Sequence, residues 1–324
     1  MAGSNWQYSK GLHDLGNGCY AWLQPDGSWG WSNAGLVVDS GQSLLVDTLF
    51  DLKLTRAMLD AMRRAEPQAT ARFGALVNTH SNGDHCFGNQ LVAGIDIIAS
   101  KACAEELIAD QGGKDLRNSV KRNPAEFGEA GEFLARILAP FDFEGIDVAM
   151  PTVTFEGELE RRVGNKTVRI IEVGPAHTGG DILVYVPEDR VIFTGDILFI
   201  NGHPLIWAGP VGNWIKACQL IMDLDVETVV PGHGPITGKQ GAAAVKGYLE
   251  YITREARKRY DAGMPMFEAA RDISLADYAS WSDAERIAAN VAALYREFSG
   301  GKTPPPTMGE VFAMMARIEK DLRH

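Results

Sequence analysis

Two histidines and an aspartate lie close together in the stretch 78–85, which reads NTHSNGDH. His80, Asp84 and His85 fall within six residues. Neutral imidazole and carboxylate groups are preferred protein ligands for a borderline metal such as zinc. This spacing therefore indicates a metal site rather than ordinary surface polarity. The middle position, where another histidine would be most useful, holds Asn82.

Three further segments place a ligand-type side chain after an apolar run or between glycines. His177 lies in GPAHTGGD, Asp196 ends FTGD, and His233 lies in PGHGP. Loops on a rigid scaffold gather functional groups, and glycines let the backbone turn sharply beside them. A single histidine is more often structural, but four of the seven histidines share this context, which favours a metal site. We expect Thr178 and Asp181 to brace the His177 turn.

Taken together, these segments resemble the metallo-β-lactamase-fold superfamily of metal-dependent hydrolases, whose pattern is HxHxDH, a lone histidine, an aspartate and a final histidine. The resemblance covers roughly residues 15–238. It implies an α/β fold, a four-layer αβ/βα sandwich with the metal at one edge. It also implies two metal positions. The first would be held by His80, Asn82 and His177, the second by Asp84, His85 and His233, and Asp196 would bridge them.

The asparagine at position 82 leaves three metal arrangements open, because a carboxamide is a weaker zinc ligand than imidazole. Both positions are filled, with Asn82 as a weak ligand or as a donor to a bound water. Alternatively, only the second position is filled, and His80 or His177 acts as a general base. In the third arrangement one metal lies on His80, His177 and Asp196. That set suits iron(II) and oxygen chemistry, and it is similar to the site of persulfide dioxygenases.

The resemblance implies a hydrolase that uses one or two zinc ions to activate water. Its substrate would be an ester, thioester, lactone or amide. Asp84 is the expected catalytic residue, orienting the attacking group and moving a proton to the leaving group. The alternative is a mono-iron, persulfide-type sulfur dioxygenase on the same fold. A metal-poor binding protein with a decayed site is a third hypothesis.

The segment 199–214, which follows Asp196, is rich in aromatic residues. In members of the superfamily this loop borders the active site, so we expect His203, Trp207 and Trp214 to contact the substrate. This predicts a hydrophobic or aromatic small molecule. Two alternatives remain: Trp214 belongs to the core, and His203 is an extra metal ligand or proton donor that compensates for Asn82.

Alternating strands and helices are expected to position these loops. Apolar runs predict strands at 19–23, 34–38, 43–46, 73–77, 95–99, 152–155, 167–172, 182–186 and 191–193. Periodicity predicts helices at 52–65, 86–93, 102–108 and 214–222. Because the order of elements recurs in two halves, we expect two similar sheets packed face to face with helices outside.

A catalytic domain at 1–238 and a helical C-terminal extension at 239–324 are the predicted units. Helical patterns occupy 241–260, 265–272, 282–298 and 310–322 of the extension. Ser282 and Glu285 are predicted to form a capping box for the third of these helices. The extension is also a candidate homodimer surface.

Composition and charge restrict the partners and the location. The chain has 324 residues, 45% of them hydrophobic, and a net charge of −11, which is a poor match to a phosphate backbone. We therefore expect no nucleic-acid partner. The four cysteines are widely spaced and indicate reduced thiols. Without a recognisable signal peptide or an apolar run of about 18 residues, we expect a cytoplasmic protein that does not bind membranes.

Overall fold

Two stacked β-sheets with helices on their outer faces form the protein, as a computed structural model describes it over residues 6–110, 113–302 and 304–322. Within those ranges the first sheet has seven strands in sequential order: β1 (Gly11–Gly16), β2 (Cys19–Leu23), β3 (Ala34–Asp39), β4 (Gln42–Val46), β5 (Ala75–Val77), β6 (Asp96–Ser100) and β7 (Val153–Phe155). The second has five described strands: β8 (Glu158–Val163), β9 (Lys166–Glu172), β10 (Ile182–Val186), β11 (Val191–Phe193) and β12 (Thr228–Val230).

Ten α-helices lie within the described residues: α1 (Leu52–Ala65), α2 (Gly83–Cys86), α3 (Lys101–Ala109), α4 (Gly113–Arg122), α5 (Gly128–Leu138), α6 (Val211–Asp223), α7 (Lys239–Asp261), α8 (Met266–Asp272), α9 (Ile287–Phe298) and α10 (Met308–Leu322). None of them is long and apolar enough to cross a lipid bilayer.

Alternation along the strands explains the layers, because successive side chains point to opposite faces of a sheet. Leu44 and Val46 of β4 join a buried cluster with Val184 of the second sheet. Between them, Leu45 faces the other way and shares a cluster with Met58 of α1. Residues of α6 and α7 cover the outer face of the second sheet in the same manner. The predicted αβ/βα sandwich is confirmed.

Strand direction brings several carboxyl ends to one edge. In the first sheet β4 and β5 are parallel neighbours. In the second, β9 and β11 both run antiparallel to β10, and β11 is parallel to β12. The loops that follow β4 and β5 therefore lie along one edge of the first sheet. The loops that follow β9, β11 and β12 lie along one edge of the second sheet, and each row of loops can carry a site.

The C-terminal helices pack directly on the sandwich. The side chain of Asn290 on α9 donates to the carbonyl of Pro204 and accepts from the backbone N–H of Ile206. Tyr248 of α7 is fully buried and accepts a hydrogen bond from the same asparagine. The division at residue 238 and the homodimer surface remain predictions.

Two local predictions are wrong. The expected helix at 86–93 is replaced by α2 and a 3-10 turn at Asn89–Val92. The capping box of Ser282 and Glu285 does not form, since Asp283 has a left-handed φ of 59° and α9 begins only at Ile287. Glu285 instead accepts a hydrogen bond from the Trp29 indole, 2.8 Å away.

Candidate metal centre

Two groups of ligand-type side chains meet at the carboxyl ends of the strands. His80, His177 and Asp196 form the first group, with the ligand atoms all within 4.8 Å of one another. Asp84, His85 and His233 form the second group by the same measure. All the predicted ligands except Asn82 thus fall into one of the two groups that the resemblance implied.

Asp196 lies between the two groups and presents one oxygen to each. Its Oδ1 is 3.1 Å from His85 Nε2 and 3.4 Å from His233 Nε2. Its Oδ2 is 3.3 Å from His177 Nε2 and 3.7 Å from His80 Nε2. This is the arrangement expected of a carboxylate shared by two metal positions.

A single carboxylate behind the centre, that of Asp47, orients histidines of both groups. Its Oδ2 is 2.8 Å from His85 Nδ1 and accepts a hydrogen bond of 2.7 Å from the Thr79 hydroxyl. The same hydroxyl is 3.0 Å from His80 Nδ1. Partners of this kind fix the ring orientation of metal-binding histidines and raise their basicity.

Backbone carbonyls orient the other two histidines. His177 Nδ1 is 2.5 Å from the carbonyl oxygen of Leu205, and His233 Nδ1 is 3.0 Å from that of Gly27. A carbonyl can only accept, so each Nδ1 carries the proton. In the neutral ring the lone pair is then on Nε2, the atom that faces the centre.

Three buried polar atoms at the centre, His80 Nε2, His85 Nε2 and Asp196 Oδ1, form no well-directed hydrogen bond among the described residues, although the last two lie 3.1 Å apart. Buried polar groups are normally satisfied, so several orphans that converge on one point need an explanation. Imidazole nitrogens and carboxylate oxygens are suitable zinc ligands, and the donor set therefore fits a metal ion.

The carboxylates and burial shift the pKa values of the site's histidines in opposite directions. Burial lowers the pKa of His80 and of His177, which keeps these rings neutral. Burial also opposes protonation of His85 and His233, but the carboxylates, Asp196 foremost, outweigh it. They raise the pKa of His85 and bring that of His233 to about 9. The carboxylates thus attract positive charge into the centre, and that charge can be a proton or a metal ion.

Asn82 occupies the place of the missing histidine. Its carboxamide oxygen lies 2.8 Å from His177 Nε2, the nitrogen that would bind a metal in the first group. The side chain therefore reaches the first group and contacts one of its ligands directly.

Glycines permit the close approach of the ligand loops. Gly232 precedes His233, and a Cβ there would collide with Asp196 Oδ1. Gly195 precedes Asp196 with φ +48°, and a Cβ there would collide with the Thr79 hydroxyl. A side chain at position 232 would therefore displace Asp196, and one at position 195 would displace Thr79.

The bracing of the His177 turn is confirmed. The carboxylate of Asp181 accepts hydrogen bonds from the backbone N–H of Thr178 at 2.9 Å and from its hydroxyl at 2.8 Å. It also accepts from the N–H of Ala176 at 3.1 Å. The turn is therefore held by its own side chains.

The three residues expected to contact the substrate occupy different environments. Trp207 is half-buried, and its backbone N–H donates to the carbonyl of His177. Trp214 is fully buried and donates from its indole to the carbonyl of Ile197, which matches its core alternative. His203 is buried among Tyr248 and Trp281, and it belongs to neither ligand group.

Sequence reasoning missed Asp47 and Asn33. Asp47 directly follows β4, the same kind of strand-end position that identified Asp196, and this signal could have found it. Asn33 is buried and donates to the carbonyls of Pro231 and Gly234 on either side of His233. Nothing in its local sequence indicates a contact about 200 residues away.

The stacked sheets and the two ligand groups at their edge define an αβ/βα sandwich protein with a candidate dinuclear metal centre. A family model described as the metallo-beta-lactamase superfamily matches residues 27–233. The chain belongs to this superfamily. The matched region contains all of the ligand residues and ends at His233.

Individual relatives are distant. A hydroxyacylglutathione hydrolase of Methylococcus capsulatus is 28% identical over 159 residues, covering 49% of this chain and 47% of that protein. A beta-lactamase-like protein 2 homolog of Caenorhabditis elegans is 23% identical over 227 residues, covering 70% and 63%. The chain thus spans about half to two thirds of the length of these relatives.

Solved structures share the fold. The stereoselective inverting sec-alkylsulfatase from Pseudomonas sp. aligns with a TM-score of 0.67 and 16% identity, over 92% of this chain and 52% of that one. A metallo-beta-lactamase from Pontibacter korlensis aligns with a TM-score of 0.57 and 16% identity, over 75% and 99%. Because the first alignment covers 92% of this chain, it includes part of the C-terminal region 239–324.

Proposed function

We propose that this protein is a metal-dependent hydrolase that uses zinc. The observation that carries the proposal is the convergence of His80, His85 and Asp196 on one buried point with unpartnered donor atoms. Membership of the metallo-beta-lactamase superfamily supports the same reading, as does the hydrolase named among the relatives.

Metal held by the two groups would lower the pKa of water and polarise the bond to be cleaved. Asp84 is suited to manage the proton. It is the most exposed of the ligand-type side chains, and its Oδ2 is 3.3 Å from His233 Nε2. Burial alone would raise its pKa, but His85 and His233 lower it to about 2, so the group is an ionised acceptor at neutral pH.

The second group is proposed as the tighter metal position. All three of its members are strong ligands, whereas the first group has only His80 and His177 beside the shared Asp196. The side chain at position 82 contributes a carboxamide, which is a weak ligand for zinc. One tightly bound and one weakly bound ion is the expected state.

An apolar or aromatic substrate is supported by an aromatic cluster next to the ligand loops, formed by Trp29, Phe133, Trp207 and Phe312. Neighbouring rings of this cluster have centroids 6.0–6.2 Å apart. Trp207 is tied to the His177 turn by its backbone, and Trp29 lies two residues from Gly27, which contacts His233. The cluster is therefore attached to the turn that carries His177 and lies near the loop that orients His233.

The mono-iron alternative uses only His80, His177 and Asp196. No observation favours it, because the second group of ligands is equally well assembled. A purely mononuclear site would leave His85 Nε2 without a role.

The proposal is tested with chromogenic esters, thioesters, lactones and β-lactams on the zinc-loaded protein. Asp84→Asn should lower kcat by about 10² to 10⁴, the range for loss of a general acid–base group. Asp60→Asn, on the exposed face of α1, is the matched control and should keep full activity. Hydrolysis that survives Asp84→Asn, or no hydrolysis of any member of the panel, would contradict the proposal.

A further inference from the structure

Residues 282–286 connect the helical C-terminal segment to the metal centre, although they lie some 50 residues beyond the region that the family model matches. The N–H of Ser282 donates to the carbonyl of Asn201, and the N–H of His203 donates back to the carbonyl of Ser282. This short segment is therefore joined by backbone hydrogen bonds to the loop that follows Asp196.

Arg286 is the central side chain of this connection. It is only 2% exposed, and its guanidinium lies 4.4 Å from the Trp29 ring centroid and 5.2 Å from that of Phe199. It also donates to the carbonyl of His203 and pairs with Asp283 at 3.3 Å. Burying an arginine costs hydration free energy, and its contacts with the two rings offset part of that cost. A buried cation in this place therefore suggests a specific role.

Phe199, which contacts Arg286, also contacts one histidine of each ligand group. Its ring is parallel to that of His233, with 5.0 Å between centroids and 3° between planes. It also meets the His177 ring edge to face at 5.6 Å. A shift of Phe199 would therefore displace one histidine in each group.

Two acidic residues of the same segment hold the loop that orients His233. Asp283 accepts a hydrogen bond of 2.5 Å from the Ser28 hydroxyl, and Glu285 accepts one of 2.8 Å from the Trp29 indole. The two donors, Ser28 and Trp29, are the two residues after Gly27, whose carbonyl orients the His233 ring. The loop at Gly27 and the ring of Phe199 thus both contact His233.

We propose that Asp283, Glu285 and Arg286 are positioning residues for the metal centre: they fix His233 and His177 through Phe199 and through the loop at Gly27. This inference rests on the proposed metal site. The C-terminal segment would then contribute to metal affinity, although it lies outside the region that the family model matches.

The test compares Arg286→Met and Arg286→Lys with the unmodified protein. Zinc affinity is measured by competition with a chromogenic chelator, and ligand geometry by the visible absorption of the cobalt(II)-substituted protein. Arg286→Met should weaken zinc binding about tenfold, the lower end of the range for losing a direct partner of a metal ligand, because Arg286 acts on the histidines through Phe199. It should also change the cobalt spectrum, and Arg286→Lys should restore part of both.

A destabilised control separates positioning from general loss of stability. Phe298→Ala, at the far end of α9, removes the packing on Tyr260 without touching the segment 282–286. The inference is overturned if Arg286→Met affects zinc affinity and the cobalt spectrum no more than Phe298→Ala does. Unmodified protein that binds neither metal tightly would instead overturn the proposed function itself.

A second pair of variants keeps the test decisive if Arg286→Met does not fold. Glu285→Gln retains an acceptor for the Trp29 indole, whereas Glu285→Ala removes it. We expect weakened zinc binding in Glu285→Ala and near-normal binding in Glu285→Gln. Equal zinc affinity in the two variants would contradict the role of the loop.

Discussion

The carboxamide of Asn82 lies 2.8 Å from Nε2 of His177, the nitrogen that faces the first ligand group. His177 Nδ1 is committed to the carbonyl of Leu205, so Nε2 holds the lone pair of the neutral ring. The carboxamide oxygen is also an acceptor, so in the neutral ring the two atoms do not hydrogen-bond to each other and instead present two lone pairs to the position of a cation in this group. We therefore expect a substitution at position 82 to change the number of metal ions bound rather than the fold.

Asn82→His should raise the occupancy of the first metal position, because an imidazole replaces a weak ligand beside His80 and His177. Zinc per chain, measured after dialysis against a moderate excess of zinc, should rise from about one toward two. Asn82→Ala is the control, since it removes the contact without adding a ligand. Two tightly bound ions in the unmodified protein would contradict this prediction.

Asp47→Asn should weaken zinc binding roughly 10- to 100-fold, as is usual when a partner of a ligating histidine is changed. Asp47 has a left-handed φ of 62°, which asparagine tolerates, so the variant removes the charge with little backbone strain. Chelator competition is the measurement. The nearby Asp51→Asn, at the cap of α1, should leave zinc affinity unchanged. Equal affinity in Asp47→Asn and the unmodified protein would show that this carboxylate does not support the ligands.

Trp207→Ala should raise KM for benzoate esters of a chromogenic leaving group about tenfold, which corresponds to ~1.4 kcal/mol of lost contact. The reason is its place in the aromatic cluster with Phe312. Acetate esters of the same leaving group should be affected less, and kcat should change little. Trp31→Ala is the control, because Trp31 packs on Phe141 in another cluster. A uniform loss of activity on both substrates would argue against a substrate contact.

His203 should make stability depend on pH. Burial lowers its pKa to about 4, while the unfolded chain has the ordinary value near 6.5. The unfolded state therefore binds more protons between these values, and stability falls as the pH drops from about 6.5 to 4. The full contribution is about 3 kcal/mol at 1.36 kcal/mol per pH unit.

His203→Gln removes this titration. Free energies of unfolding in urea at pH 7.5 and 4.5, with chelator present to exclude metal effects, should differ less in the variant than in the unmodified protein. Parallel losses of stability in the two proteins would mean that His203 is not the group responsible.

The sequence predicts those features that depend on local pattern. The apolar run at 182–186 predicts β10 with its observed bounds. Most of the ligand residues are found in the same way, because they follow strands or lie between glycines. Features that depend on distant contacts are missed. Ser282 and Glu285 carry a local capping signal, but Glu285 bonds to Trp29, 256 positions away, and the helix starts later. Asp47 has a local signal, its place after β4, but its contact with His85 spans 38 positions, so the histidine that it orients is visible only in the fold.

Metal content, measured together with hydrolysis before and after chelation, tests the central claim most directly. We predict at least one tightly bound zinc per chain, loss of ester or thioester hydrolysis when it is removed, and recovery when zinc alone is returned. His85→Ala should lose both the metal and the activity. About one iron and no zinc per chain with oxygen uptake, or hydrolysis that is indifferent to chelation, would contradict the account.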